Sequence, residues 1–272
     1  MPPGLYWARY RLPANLPRQP TDLQHRSPMS DHLARPVRPQ PGKVWLVGAG
    51  PGAADLLTVR AMRLLADADV VLHDALVTPE ILELCKQADL ISVGKRSGQR
   101  STAQALINQQ IIECAFRYDR VVRLKGGDPM LFGRANEELT ALEAAGVPYD
   151  VVPGITTAFA AAAAIHQPLT KRGVARNVAF FTSTTAPGEP DQASLPGCDT
   201  LVQYMGGAEA IATARRLLEA GKQPETPVIA VENVSRADQR VMRMALSDMV
   251  NGIPECKGPV LVMIGEALRK RG

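Results

Sequence analysis

Residues 123–134 read RLKGGDPMLFGR, and the segments on either side give that stretch its place in a fold. Residues 119–124 (DRVVRL) read as a hydrophobic strand, and residues 135–145 (ANEELTALEAA) read as a helix. A strand, a glycine turn and a helix, in that order, bring backbone amides to the carboxyl edge of a sheet. Open α/β sheets bind small ligands at that edge. Gly126 and Gly127 let the chain turn tightly and let a ligand approach the backbone. Pro129 fixes one dihedral and pushes Asp128 towards extended geometry, with its carboxylate expected to aim outward. Arg123, Lys125 and Arg134 flank the turn, which suits an anionic partner. A plain βα turn with solvated charges is the simpler reading of the same residues.

Working outward, strand and helix patterns alternate from Lys43 onward. Strands are expected at 43–48 (KVWLVG), 68–73 (ADVVLH), 90–94 (LISVG) and 149–154 (YDVVPG). Helices are expected at 55–66, from Pro79, and at 101–116 with Ser101 as N-cap. This alternation predicts a mainly parallel sheet covered on both faces. Residues 155–172 read as an alanine-rich helix and a loop led by Pro168. A second α/β set follows: strands at 177–182, 200–205, 227–232, 239–246 and 259–265, with a helix at 208–220. Only about a dozen residues, Asn251 and Gly252 among them, separate the last two strands, so an antiparallel or mixed sheet is expected there. The fold class is therefore two α/β domains, 43–160 and 161–272, with a ligand cleft between them.

Residues 1–42 hold nine prolines and show no helical or strand periodicity, which predicts a disordered tail. The tail carries six arginines and two aspartates, leaving 25 basic and 25 acidic residues in 43–272. The pI of about 9.0 therefore belongs to the tail, and no global charge argument for nucleic-acid binding survives. The tail does not read as a secretory signal; a translation start upstream of the natural one, such as Met29, accounts for it as well as a transit peptide does. No apolar stretch reaches the roughly 20 residues needed to span a bilayer. Cys85, Cys114, Cys198 and Cys256 are scattered without a CxxC pair, which indicates neither a zinc site nor a disulfide framework. A cytoplasmic protein with reduced thiols is expected.

Residues 47–53 (VGAGPGA) formally satisfy the dinucleotide fingerprint through Gly48, Gly50 and Ala53, with Asp74 near the place of a ribose-binding acid. Pro51 and Gly52 stiffen this loop and delay the helix, which argues against a tight phosphate cradle. A flavin- or NAD-binding oxidoreductase remains a reading of these residues.

A resemblance goes further. VGAGPGAADLLTVRA (47–61), HDALV (73–77), VGKRSG (93–98), RLKGGDPMLFGRANEEL (123–139), VVPGITTA (151–158) and PLTKR (168–172) stand in the order and spacing of the tetrapyrrole methylases. The chain most closely resembles the uroporphyrinogen-III C-methyltransferases within that family, over about 43–265. The resemblance implies S-adenosylmethionine as methyl donor and methylation of uroporphyrinogen III at ring positions 2 and 7, giving precorrin-2. It also implies a homodimer of two-domain subunits. On the donor side it implies Pro51, Gly126, Gly127, Asp128, Pro129, Thr156, Thr157, Met205 and, more weakly, Val260. On the macrocycle side it implies Arg134, Glu137 and Arg172, with Arg134 also assisting proton removal after methyl transfer.

The implied chemistry suits the residue inventory. A pyrrole carbon is already nucleophilic and a sulfonium is a strong leaving group, so positioning alone can supply much of the rate and no metal is needed. Arginine holds a carboxylate through two parallel hydrogen bonds, which fits a macrocycle rich in carboxylates. Without the resemblance, Arg134 and Glu137 read equally well as an (i, i+3) helix salt bridge, and Met205 reads as core packing. Where the family usually has other residues, this chain has Ala53, Ala135, His166, Lys171 and the pair Ser183–Thr184. A methylase of the same fold acting on another precorrin is the alternative reading.

Overall fold

The strand β1 (Lys43–Gly48) stands near the centre of a five-stranded sheet in the computed structural model, which describes residues 35–93, 104–183 and 195–270. The other strands are β2 (Val70–His73), β3 (Asp89–Ser92), β4 (Arg120–Lys125) and β5 (Tyr149–Val152), in the order β3-β2-β4-β1-β5. Every pairing is parallel, as the alternation of strand and helix predicts. Side chains along a strand alternate between faces, and this separates two cores. Val44, Leu46, Val70 and Leu72 pack with Ile107 and Ile111 of α3 (Gln104–Ala115) and Leu142 of α4 (Ala135–Ala144). Val47 and Val71 pack on the opposite face with Ala61 and Leu65 of α1 (Val59–Asp67) and Ile81 of α2 (Pro79–Leu82).

The second sheet has the order β6-β7-β10-β8-β9. It comprises β6 (Val178–Thr182), β7 (Thr200–Tyr204), β8 (Pro227–Glu232), β9 (Arg240–Ala245) and β10 (Val260–Ile264). β6 and β7 are parallel and the remaining pairs antiparallel, so the sheet is mixed. β9 and β10 do not pair with each other: β8 lies between them, because β9 folds back on β8 and the short helix α7 (Leu246–Met249) returns the chain. The alanine-rich helix α5 (Thr157–Ala164) covers one face, where small side chains allow close approach to Val202, Ile229 and Met263. α6 (Ala210–Glu219) and α7 cover the other, over Leu201, Val228 and Val262.

Several details differ from the sequence expectation. The first helix begins at Val59, because Thr58 caps it through Oγ1, which accepts a hydrogen bond from Ala61 N at 3.2 Å. A 3-10 turn (Ala54–Leu56) occupies the residues before it. The boundary expected at 160/161 falls inside α5, whose buried Ala158, Ala160 and Ala161 join the second core. Residues 35–42, grouped with the tail by composition, lie against the first domain. Arg38 N donates to Phe116 O at 2.8 Å, Gly42 N to Ala115 O at 2.7 Å, and the Arg35 guanidinium stacks 4.4 Å from the Tyr118 ring. Residues 1–34, Met29 among them, and the predicted cap Ser101 fall outside the described residues, as do 94–98 of the VGKRSG motif and Thr184. No described helix is long and apolar enough to cross a membrane.

Candidate functional site

The turns that leave β1 and β4 meet at the carboxyl edge of the first sheet. Gly50 and Gly127 exchange backbone hydrogen bonds, Gly50 N to Gly127 O at 3.1 Å and Gly127 N to Gly50 O at 2.7 Å. Both have positive φ, 71° and 69°, which favours glycine. A second crossing beneath them also requires glycine. A Cβ on Gly48 would lie 2.6 Å from Gly154 Cα, and one on Gly154 would lie 2.3 Å from Gly127 O. Asp128 does not aim its carboxylate outward as expected. Its Oδ1 accepts from Met130 N at 2.8 Å and its Oδ2 from Gly154 N at 2.9 Å, stitching the turn to the segment after β5.

The second domain faces these turns with the ends of β7, β8 and α5. Between the two sides lies a cavity of about 660 Å³. Of the nine expected donor-side residues, Pro51, Gly126, Gly127, Asp128, Thr156, Thr157, Met205 and Val260 line it. Pro129 does not; it is buried behind the turn. Thr156 Oγ1 and Tyr204 Oη share a hydrogen bond of 2.5 Å, and Tyr204 Oη also accepts from Ala158 N at 3.3 Å. Burial pushes the Tyr204 phenol above its ordinary pKa, so the hydroxyl stays protonated at neutral pH. Phe132 leans on this ring with centroids 5.0 Å apart. Phe132 and Met205 are both held at positive φ, 54° and 55°, a cost accepted where the chain must present a side chain at a special angle.

A buried charge cluster supports the turn from below. Arg123, Lys125 and Glu138 are 2 %, 3 % and 1 % exposed. Glu138 Oε1 accepts from Arg123 Nε at 3.1 Å, Lys125 Nζ at 2.9 Å and Gln104 Nε2 at 3.3 Å. Arg123 Nη2 also reaches Asp74 Oδ1 at 2.5 Å. Burial, followed by the neighbouring Arg123 charge, lowers the Lys125 pKa. The cluster ties together β2, β4, α3 and α4, so the Gly126–Gly127 turn rests on a rigid base. It also occupies Asp74, which is then not free for a ribose, and α1 starts too late to follow the first glycine loop directly. Both facts weigh against a dinucleotide cradle.

The three macrocycle-side candidates lie outside the cavity. Arg134 and Glu137 form a two-bond ion pair, Nε to Oε1 at 2.7 Å and Nη2 to Oε2 at 2.6 Å, with side chains 58 % and 44 % exposed. Arg134 has φ of 54° as it enters α4. Arg172 is exposed on the turn closed by Lys171 and Ala175. His166 has φ of 55°, the left-handed conformation that explains why a glycine would serve at its position. Sequence reasoning missed Tyr204, Phe132 and Arg236 as cavity residues. Tyr204 adjoins Met205 and was within reach of that signal, whereas nothing local distinguishes Arg236.

The model for Tetrapyrrole (Corrin/Porphyrin) Methylases matches residues 43–250. The chain belongs to this family. Among its relatives, a siroheme synthase of Pseudomonas fluorescens (strain Pf0-1) is 44% identical over 239 residues, 85% of this chain and 51% of the relative. The chain thus spans about half the length of the curated relatives it matches. Among solved structures, the uroporphyrin-III C-methyl transferase of Thermus thermophilus complexed with S-adenyl homocysteine is 38% identical, with a TM-score of 0.73. That match covers 84% of this chain and 99% of the other. A cobalt precorrin-4 methyltransferase of cobalamin biosynthesis is 26% identical with a TM-score of 0.69, covering 90% and 99%. Membership of the tetrapyrrole methylases accounts for the fold, one parallel and one mixed five-stranded sheet.

Proposed function

We propose that this tetrapyrrole methylase transfers methyl groups from S-adenosylmethionine to uroporphyrinogen III, at ring positions 2 and 7, giving precorrin-2. The observation that carries this reading is the convergence of eight predicted donor-side residues on one cavity between the two sheets. The residues fit the donor. Leu131, Phe132, Val234 and Val260 offer apolar walls for an adenosyl group, and Gly126 and Gly127 offer backbone approach without side chains. When bound, the donor supplies a methyl group on a sulfonium, electrophilic enough to alkylate an electron-rich pyrrole carbon.

Arg134, Glu137 and Arg172 do not line the donor cavity, and on this reading they take up the acceptor's carboxylates. The planar guanidinium of Arg134 binds a substrate carboxylate in two-bond geometry, the same geometry it uses here with Glu137. On this reading the protein works as a homodimer in the cytoplasm. The test is incubation with uroporphyrinogen III and radiolabelled methyl donor, counting methyl groups per ring. Two per ring are expected, and none would sink the substrate assignment. Methylation of another precorrin is a second reading, favoured by the likeness to the cobalt precorrin-4 methyltransferase. Under it, label would enter a precorrin and not uroporphyrinogen III.

A smaller variant tests the donor side alone. A Cβ on Gly127 would meet only Thr157 Oγ1, at 4.0 Å, so a larger side chain there grows into the cavity. Gly127→Val is expected to abolish the calorimetric binding heat of S-adenosylhomocysteine, by filling the cavity and by straining a turn held at φ of 69°, while the circular dichroism spectrum shows the two sheets intact. Normal binding would move the donor site elsewhere.

A further inference from the structure

The chain leaving β8 reads ENVSR over residues 232–236, and its side chains bridge the two domains. Asn233 and Ser235 both have positive φ, 51° and 62°. Two left-handed non-glycine residues so close together cost free energy that surrounding contacts must offset. Those contacts reach across the cavity. Ser235 Oγ accepts a hydrogen bond from Ala53 N at 3.0 Å. Arg236 Nη2 donates to Leu76 O at 2.7 Å. The stem of Arg236 lies over Gly52, where an added Cβ would approach its Cγ to 2.9 Å. Arg236 Nε is buried with no hydrogen-bond partner among the described residues, a further desolvation cost borne by this arrangement. Between these two residues and β8, Val234 is buried and lines the cavity, together with Pro51, Leu76 and Arg236 itself. On the first-domain side, Thr78 Oγ1 donates to Gly52 O at 2.8 Å, so the loop that Arg236 covers is already fastened to its own domain.

We propose that Ser235 and Arg236 are positioning residues, a clasp that holds the loop at 50–53 and Leu76 against the second domain and so sets the width of the donor cavity. They act through Pro51, Gly52 and Val234, and need not touch the donor. This rests on the reading of the cavity as the donor site.

Calorimetry of the full chain with S-adenosylhomocysteine tests both ideas separately. Arg236→Ala is expected to weaken binding about tenfold, the size of one charge-assisted hydrogen bond. Arg236→Lys should recover most of that loss, because its ammonium keeps a donor for the Leu76 carbonyl. Ser235→Ala, which removes only the Ala53 contact, should weaken binding about threefold. The melting temperature should fall by only about 2–4 °C per kcal/mol of lost domain contact, and the KM for the tetrapyrrole acceptor should stay near that of the wild type. Unchanged affinity in Arg236→Ala overturns the clasp, as does an equal loss for donor and acceptor with lowered melting, which marks a general scaffold role. Absence of binding to the wild type overturns the donor reading itself and the clasp with it.

Discussion

Replacing Glu138 with alanine should lower the unfolding free energy by about 3–5 kcal/mol, the loss typical when one partner of a buried ion pair is removed. Arg123 and Lys125 would remain in the interior with no carboxylate between them, since Glu138 Oε1 accepts from both. Asp74 would still pair with Arg123, but among the described residues it makes no hydrogen bond to Lys125 or Gln104. Urea unfolding with an unchanged m-value measures the effect. Glu138→Gln should cost less, because an amide oxygen can still accept while the charge is lost. A loss under about 1 kcal/mol for Glu138→Ala would show that the two cations are carried without their carboxylate.

Arg134→Lys should lower turnover by about two orders of magnitude, the loss of a charge-assisted contact of about 2–3 kcal/mol. Lysine keeps the charge but lacks the planar fork that holds a carboxylate through two bonds. S-adenosylhomocysteine affinity and the fold should be unaffected, because Arg134 does not line the donor cavity and its side chain is 58 % exposed. The pair with Glu137 supplies the competing outcome. If surface pairing is its whole role, Arg134→Ala costs a few tenths of a kcal/mol in stability and leaves turnover near normal. Full activity in Arg134→Lys would show that positive charge alone suffices at this position.

Much of the fold was legible in local pattern. Strands such as Lys43–Gly48 and Pro227–Glu232 were expected at the bounds they have, because a short apolar run ended by glycine or proline signals itself within a few residues. The donor-side positions came from the resemblance to the tetrapyrrole methylases and not from local pattern, and eight of the nine line the cavity. What the short window could not carry was partnership between distant residues. Asp128 looked free to face a ligand, yet it is engaged by Gly154, 26 positions away. Nothing local distinguishes Glu138 from Glu137 beside it on α4. Glu138 is buried because β4 places Arg123 and Lys125 beneath that helix face.

By itself, then, the sequence determined the alternation of elements and the two α/β halves, and the order of its motifs determined the family. The alternation depends on residue type at short range: apolar runs that end at glycine or proline, and proline or threonine at helix starts. Tertiary structure alone decided which carboxylates are spent on holding the scaffold and which arginines bridge domains. Arg236 meets Leu76 across 160 residues, a separation at which no local propensity acts. Such contacts exist only because the two cores, each closed by its own apolar packing, bring the carboxyl edge of one sheet against the loops of the other.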